Sequence, residues 1–185
     1  FQNVLFHGLV NDPYGKKMSK SKGNVVNPLE LVDQYGADAV RFALIYGNAT
    51  GNDQALSYSK LDAARKFTNK LWNMARFIEM NRVQSSKFKV QSLETDEVLK
   101  FAKHEKDKEM VKKVRELIRK VTKDLEKYNF NYAAEALYEF AWHEFADKYI
   151  EKVKTQNSKV KSSDQNSFII LNSLFLILLK LLHPF

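Results

Sequence analysis

Lys17 and Lys20 stand three residues apart, with Ser19 between them and Ser21 directly after, in the run Gly15-Lys16-Lys17-Met18-Ser19-Lys20-Ser21-Lys22-Gly23-Asn24. The two ammonium groups are compact charges with rotatable donors, and the serine hydroxyls add neutral ones. Gly15 and Gly23 let the flanking backbone take unusual φ values and approach a ligand closely. A mobile cationic loop of this make-up can close on a triphosphate. Charge developing on transferring phosphate oxygens is what such groups stabilise best. For a generic Lys-x-x-Lys, an exposed loop without function is the commoner explanation, and spacing alone leaves both open.

Elements on either side must hold the loop. Val4-Leu5-Phe6, followed by His7-Gly8 and Leu9-Val10, reads as a buried strand and its exit. Asn11-Asp12-Pro13-Tyr14-Gly15 is turn chemistry. Asn27-Pro28-Leu29-Glu30 opens a helix, with Asn27 as cap, Pro28 in the first turn and Glu30 completing a capping box. Gly36 ends it. Asp38 caps a second helix from Ala39 to Tyr46, and 48–56 is a polar connector.

From Ser59 the pattern becomes long and amphipathic. Leu61, Ala64, Phe67, Leu71, Met74 and Ile78 recur at spacings of three and four, and Met110, Val111, Val114, Leu117, Val121, Leu125 and Tyr128 repeat the theme. Asn131 can cap a third helix carrying Ala133, Leu137, Phe140, Ala141 and Tyr149, and a last helix runs from Phe168 to Leu182, stopped by Pro184. Segment 84–92 reads as a linker, and 154–167, rich in Lys, Ser, Asn and Gln, as loop-like. Trp72, Phe77, Tyr138, Phe140 and Trp142 are expected in the core of the helical bundle. The fold is thus expected to be mainly α: a short α/β tail over 1–56, then an antiparallel helical bundle over 57–185.

Composition sets outer limits. The 185 residues are 44% hydrophobic and 28% charged, which is globular composition. Six glycines and three prolines are too few for a sandwich or barrel of many tight turns. The absence of cysteine excludes a disulfide framework, a thiolate metal site and a cysteine nucleophile, and it fits a reducing, cytoplasmic setting. His104, His143 and His183 lack ligand spacing, so no structural metal is expected. The apolar stretch 168–182 is shorter than the ~20 residues a spanning helix needs, so no membrane is expected. No signal peptide is visible at Phe1, and both ends look cut from something longer.

The net charge of +8 is concentrated. Residues 57–92 carry eight basic and two acidic side chains, and 100–127 carry eleven and six, whereas 1–56 and 128–185 are each neutral. That reads either as a polyanion surface or as solvated lysine-rich helix faces. Lys66, Lys70, Arg76, Lys113 and Lys120 are the candidate contacts.

Lys17-Met18-Ser19-Lys20-Ser21 resembles the KMSKS signature of the class I aminoacyl-tRNA synthetases, and Tyr35-Gly36-Ala37-Asp38-Ala39-Val40-Arg41 resembles a segment of their large hydrophobic-amino-acid subgroup. Gly51-Asn52-Asp53, Asn69-Lys70-Leu71-Trp72-Asn73-Met74-Ala75-Arg76-Phe77, and Asn129 to Phe140 with Trp142 and Asp147 are similar to the valyl-tRNA synthetase family.

The resemblance implies activation of valine by ATP, with Mg²⁺ accompanying the nucleotide, and transfer to tRNA(Val). It makes Lys20 central and Lys17 assisting on the triphosphate. Met18, Ser19 and Ser21, together with His7 and Gly8, are placed near ATP. The tail becomes the end of a Rossmann-like catalytic domain and the helices an anticodon-binding domain. A monomer is expected. His-x-Gly-His, the family's other signature, does not occur in this sequence, so this chain by itself is not expected to form adenylate. An isoleucyl-tRNA synthetase fragment and a non-catalytic helical tRNA-binding module are the alternatives.

Overall fold

The computed structural model describes residues 2–81, 94–159 and 165–185. Two short strands, β1 (Val10–Asn11) and β2 (Gln54–Ala55), pair in parallel with Val10 opposite Gln54 and Asn11 opposite Ala55. Between them lie a 3₁₀ turn (Lys20–Lys22), α1 (Pro28–Tyr35) and α2 (Ala37–Ile45). Helices α3 (Tyr58–Met80), α4 (Thr95–Phe101), α5 (Glu105–Glu126) and α6 (Phe130–Glu139) follow. A wide-turned π segment (Phe140–Ile150) continues into α7 (Glu151–Lys159), and α8 (Gln165–Leu182) is last. No helix of the described residues is long and apolar enough to cross a membrane.

The chain divides into two compact units. One gathers the residues up to 69 with 122–135 and 185, and the other the described parts of 70–121 and 136–184.

In the first unit, α1 packs on α2. Leu31, Ala39, Val40, Phe42 and Ala43 from these helices are buried, as are Leu56, Leu61, Ala64 and Phe67. The Phe42 ring lies 4.9 Å from that of Phe67 and 5.3 Å from that of Tyr46. Asn27 caps α1 through its side chain, which accepts from the Leu29 amide at 3.0 Å.

Three expectations fail here. Glu30 does not close a capping box, because its carboxylate accepts from the Asn27 side-chain amide instead (3.1 Å). Asp38 sits inside the first turn of α2, whose N-cap is Gly36. Val4-Leu5-Phe6 is no buried strand: Phe6 is 80% exposed, and the pairing begins only at Val10.

The second unit is an up-and-down helical bundle, legible from its cross-contacts. Along α5, Asp107 meets Tyr149 and Lys113 meets Glu144, so position rises on one helix as it falls on the other. α3 runs the same way as the π segment and α7, since Lys70 meets Asp147 and the Lys154 ammonium lies over the Phe77 ring. α8 runs against them, with Ser167 near Asp107 and Phe175 stacked on Phe145 at 6.0 Å. α4 packs on α8.

Leu137, Ala141, Phe145, Tyr149 and Val153 recur every four residues and are all buried. On a 3.6-residue turn that spacing drifts about 40° per step. The wider π turn absorbs the drift and keeps the row facing the core. Asp107, 1% exposed, accepts from the Tyr149 hydroxyl (2.8 Å) and the Ser167 hydroxyl (3.3 Å), so its burial is compensated.

Other expectations are corrected as well. Asn131 caps nothing; it lies inside α6 and is buried. The segment from 154 is helical to Lys159 rather than loop-like, and 84–92 falls outside the described residues. Of the five aromatics expected in the core, Phe140 alone is fully buried, while Trp72 is 68% exposed. It directly follows Leu71 and so falls off the three-and-four row of α3 that faces inward.

Candidate functional site

The lysine–serine loop is a closed structure held by side chains. At its base, the Asp12 amide donates to the Lys16 carbonyl (2.9 Å), Gly15 donates to the Asp12 carbonyl (2.9 Å), and Asn11 bridges Lys17 in antiparallel fashion. The Asp12 side chain, 4% exposed, accepts at Oδ1 from the amides of Tyr14 (3.0 Å) and Lys16 (2.8 Å). Its Oδ2 accepts from Asn24 Nδ2 at 2.9 Å. Asn24 in turn accepts from the Ser19 amide (2.9 Å) and donates to the Lys17 carbonyl (3.3 Å). Met18 turns inward, its sulfur accepting from the Val26 amide (3.3 Å). Gly23 ends the 3₁₀ turn at φ 65°, a left-handed value that favours glycine.

These contacts leave the cations outside. Lys17, Lys20 and Ser21 are exposed, Ser19 and Met18 half-buried, and Ser19 Oγ sits 3.2 Å from Ser21 Oγ. The loop thus presents the ammonium groups of Lys17 and Lys20, with those of Lys16 and Lys22, and hydroxyls to solvent from a fixed stem. The hydrogen bond from Asn24, with those from Lys16 and Tyr14, holds the Asp12 carboxyl below its usual range. It is ionised at neutral pH, yet its charge is spent on N–H donors.

His7 is exposed, its Nδ1 2.8 Å from the Gly8 carbonyl oxygen. Gly8 lies against the backbone of Asn52 and Asp53, where an added Cβ would fall 1.9 Å from the Asn52 oxygen. Gly8 is there for close approach to the chain.

The basic residues fare differently from one another. Lys66 and Arg76 are exposed on α3 and carry no ion pair among the described residues. Lys70 binds Asp147 (2.9 Å), with its ammonium 5.2 Å from the centre of the Trp142 ring, which stacks on Tyr138. Lys113 is held between Glu109 (3.0 Å) and Glu144 (2.8 Å), and Glu144 also pairs with Lys148. Hydrogen bonds from Lys113 first and Lys148 second bring the Glu144 carboxyl down to about 2, and hydrogen bonds to Glu144 first and Glu109 second raise Lys113. Lys120 is exposed and lines a groove of about 550 Å³ with Lys113, Glu139, Phe140 and His143. Among the described residues no group of three His, Asp or Glu side chains could hold a metal ion.

Asp12 and Asn24 are absent from the site residues inferred from sequence. Asp12 was legible as a turn former and Asn24 as the residue after a glycine. Nothing in the linear pattern joins them to each other.

Comparison with known proteins bears on the whole chain. A family model described as tRNA synthetases class I (I, L, M and V) matches residues 1–57, and one described as the anticodon-binding domain of tRNA ligase matches 107–185. The valine–tRNA ligase of Clostridium acetobutylicum is 41% identical over 188 residues, covering 100% of this chain and 20% of that protein. That of Streptococcus mutans is 41% identical over 196 residues, covering 100% and 21%. The chain thus spans about a fifth of the length of these curated relatives.

Among solved structures, the ternary complex of Agrobacterium radiobacter K84 LeuRS with tRNA and LeuAMS is similar with a TM-score of 0.71 and 27% identity, over 97% of this chain and 20% of that one. The methionyl-tRNA synthetase of Mycobacterium tuberculosis, with a TM-score of 0.66 and 21% identity over 95% of this chain and 33% of its own, shares the fold.

Proposed function

Since the chain belongs to the class I tRNA synthetases, we propose that it is the part of a valine–tRNA ligase that supplies the triphosphate loop and the tRNA-facing helices. The observation that carries this reading is the lysine–serine loop, closed at its stem with Lys17 and Lys20 exposed, in a chain similar to valine–tRNA ligases along its whole length. That similarity does not favour the isoleucyl or the non-catalytic alternative.

The reaction proposed for the whole enzyme has two steps. The valine carboxylate attacks the α-phosphorus of ATP, which enters with Mg²⁺ as substrate, and pyrophosphate leaves. A ribose hydroxyl at the 3′ end of tRNA(Val) then attacks the carbonyl of the valyl-adenylate, taking the valyl group and releasing AMP. Lys20, assisted by Lys17, stabilises charge on the departing phosphates, with Ser19 and Ser21 as further donors. Met18 anchors the loop inward, and His7-Gly8 lies beside the nucleotide. Residues 1–56 are assigned to the catalytic domain and 57–185 to the anticodon-binding domain. Lys66 and Arg76 are the foremost candidates for tRNA phosphate contact. Lys70, Lys113 and Lys120 are the second set, because Lys70 and Lys113 must first leave their carboxylates. The enzyme is read as monomeric and cytoplasmic, the former testable by gel filtration of the full-length protein.

The deciding experiment is valine-dependent ATP–pyrophosphate exchange by the full-length enzyme with Lys20→Ala. By analogy with the loss of one oxyanion donor, exchange should fall by about 10²–10³, or roughly 2.7–4 kcal/mol, with valine binding little changed. Exchange at the wild-type rate would overturn the assignment.

A further inference from the structure

The loop that carries Lys17 and Lys20 is closed by one carboxylate and one amide. Asp12 uses Oδ1 on the Tyr14 and Lys16 amides and Oδ2 on Asn24. The Asn24 side chain spans the backbone on either side of Met18, donating to the carbonyl of Lys17 and accepting from the amide of Ser19. Asn24 lies twelve positions after Asp12, so their contact closes the loop as a ring. At 4% exposure Asp12 cannot meet a ligand in solvent, and a carboxylate facing a triphosphate would repel it. Its charge is turned inward, onto donors that shape the loop.

We propose that Asp12 and Asn24 are positioning residues of this loop: their clasp fixes the backbone at 17–19, so that Lys17 and Lys20 meet the triphosphate as a preorganised pair. This rests on the functional reading above and adds to it the residues that set the loop's shape. Preorganised cations need no rearrangement at the moment of reaction, which is where electrostatic stabilisation gains most. The clasp therefore governs the ATP side of the first step and leaves valine recognition alone.

The hydrogen-bond pattern supplies its own test. In Asp12→Asn, Oδ1 must stay on the two backbone amides, so the new NH₂ faces the NH₂ of Asn24, donor against donor. In Asn24→Asp, two carboxylates meet. Combining the two restores a donor–acceptor pair in reversed sense. It keeps the acceptor for Ser19, while the 3.3 Å contact to the Lys17 carbonyl becomes acceptor against acceptor, the one contact the double variant does not restore.

The full-length enzyme is assayed by ATP–pyrophosphate exchange, with limited trypsin cleavage at the loop lysines as a second readout. A hydrogen bond to a charged group at this strength predicts that each single variant loses about tenfold in kcat/KM for ATP. The KM for valine is expected to hold, with cleavage at Lys17 and Lys20 faster. The double variant is expected to recover both readouts for the most part, as coupled positions do in a double-mutant cycle.

Single variants with wild-type ATP kinetics and wild-type cleavage would overturn the clasp. So would single variants that lose ATP and valine kinetics together with no recovery in the double. Failure of the functional reading looks different: wild type without valine-dependent exchange, or Lys20→Ala with full exchange. In that case the cleavage pattern of the single and double variants still decides whether the clasp exists.

Discussion

A single methyl group at position 8 tests how the chain entering the loop is held. A Cβ built on Gly8 falls 1.9 Å from the Asn52 oxygen, 2.1 Å from the Asn52 carbonyl carbon and 2.6 Å from the Asp53 nitrogen. All three are backbone atoms, so no rotamer change relieves the overlap. Carbon contacts settle near 3.5–4 Å, which requires the 52–53 backbone to retreat by roughly 1.5 Å. The bonds at risk are Leu9 N–H to Asp53 Oδ1 (2.7 Å), Gln54 N–H to the Leu9 carbonyl (2.9 Å) and Asn48 Nδ2–H to the Asn52 carbonyl (3.0 Å).

At about 1 kcal/mol net for each, their loss costs roughly 3 kcal/mol, at the upper end of the usual 1–3 kcal/mol for overpacking. The perturbation is Gly8→Ala in the full-length protein, and the assay is amide hydrogen exchange at Leu9 and Gln54. If the strain is local, exchange at those amides should rise by roughly a hundredfold, since 1.36 kcal/mol is a factor of ten. Valine-dependent exchange of pyrophosphate should weaken with it. Wild-type protection at both amides, with unchanged activity, would show that a side chain fits and that the close approach does not constrain this segment.

Two further outcomes follow from the charges. The Glu144 carboxyl stands at about 2 against an ordinary 4.5, so its contribution is fully present above pH 4.5 and is lost as pH falls toward 2. The whole shift would be worth roughly 3 kcal/mol, of which screening leaves about 1 kcal/mol for a side chain 27% exposed. Glu144→Gln should therefore lower stability by about that amount at neutral pH and flatten the acid limb of a denaturation-versus-pH profile between those values. An identical acid limb in the variant would refute the assignment. For tRNA binding titrated at several salt concentrations, Lys66→Glu with Arg76→Glu should shrink the log K versus log salt slope by about 0.7–0.9 per phosphate lost. Lys113→Glu with Lys120→Glu should shrink it less, because Glu109 and Glu144 already hold Lys113. Equal slopes for both pairs would mean that ion pairing within the bundle does not decide which lysines are available.

That last contrast shows where linear reading stops. Charge counting weighs Lys66 and Lys113 alike, since of the two carboxylates that hold Lys113 the nearer in space, Glu144, lies 31 residues away in sequence. The long helices α3 and α5 were legible because their apolar residues recur with the turn of the helix, and α8 as an apolar run stopped by Pro184, properties each window of sequence carries by itself. α4 was not, being seven residues capped by Glu94 and Glu97 in a box built from two acids, which reads as an acidic patch. The π segment was hidden for a related reason. A spacing of four passes for ordinary amphipathicity until it is sustained from Leu137 to Val153.

The site divides along the same line. Its chemistry is local, since two lysines and two serines within five residues put the donors that a phosphate loop would use side by side in the chain. Its shape is not, because the group that closes it lies in a turn before the loop and its partner lies after it. Asp12 therefore looks like a turn residue and Asn24 like a loop residue until the fold sets them 2.9 Å apart. A substitution that preserves every lysine and serine of the loop can still disarm it, through the one contact that no pattern within the loop contains.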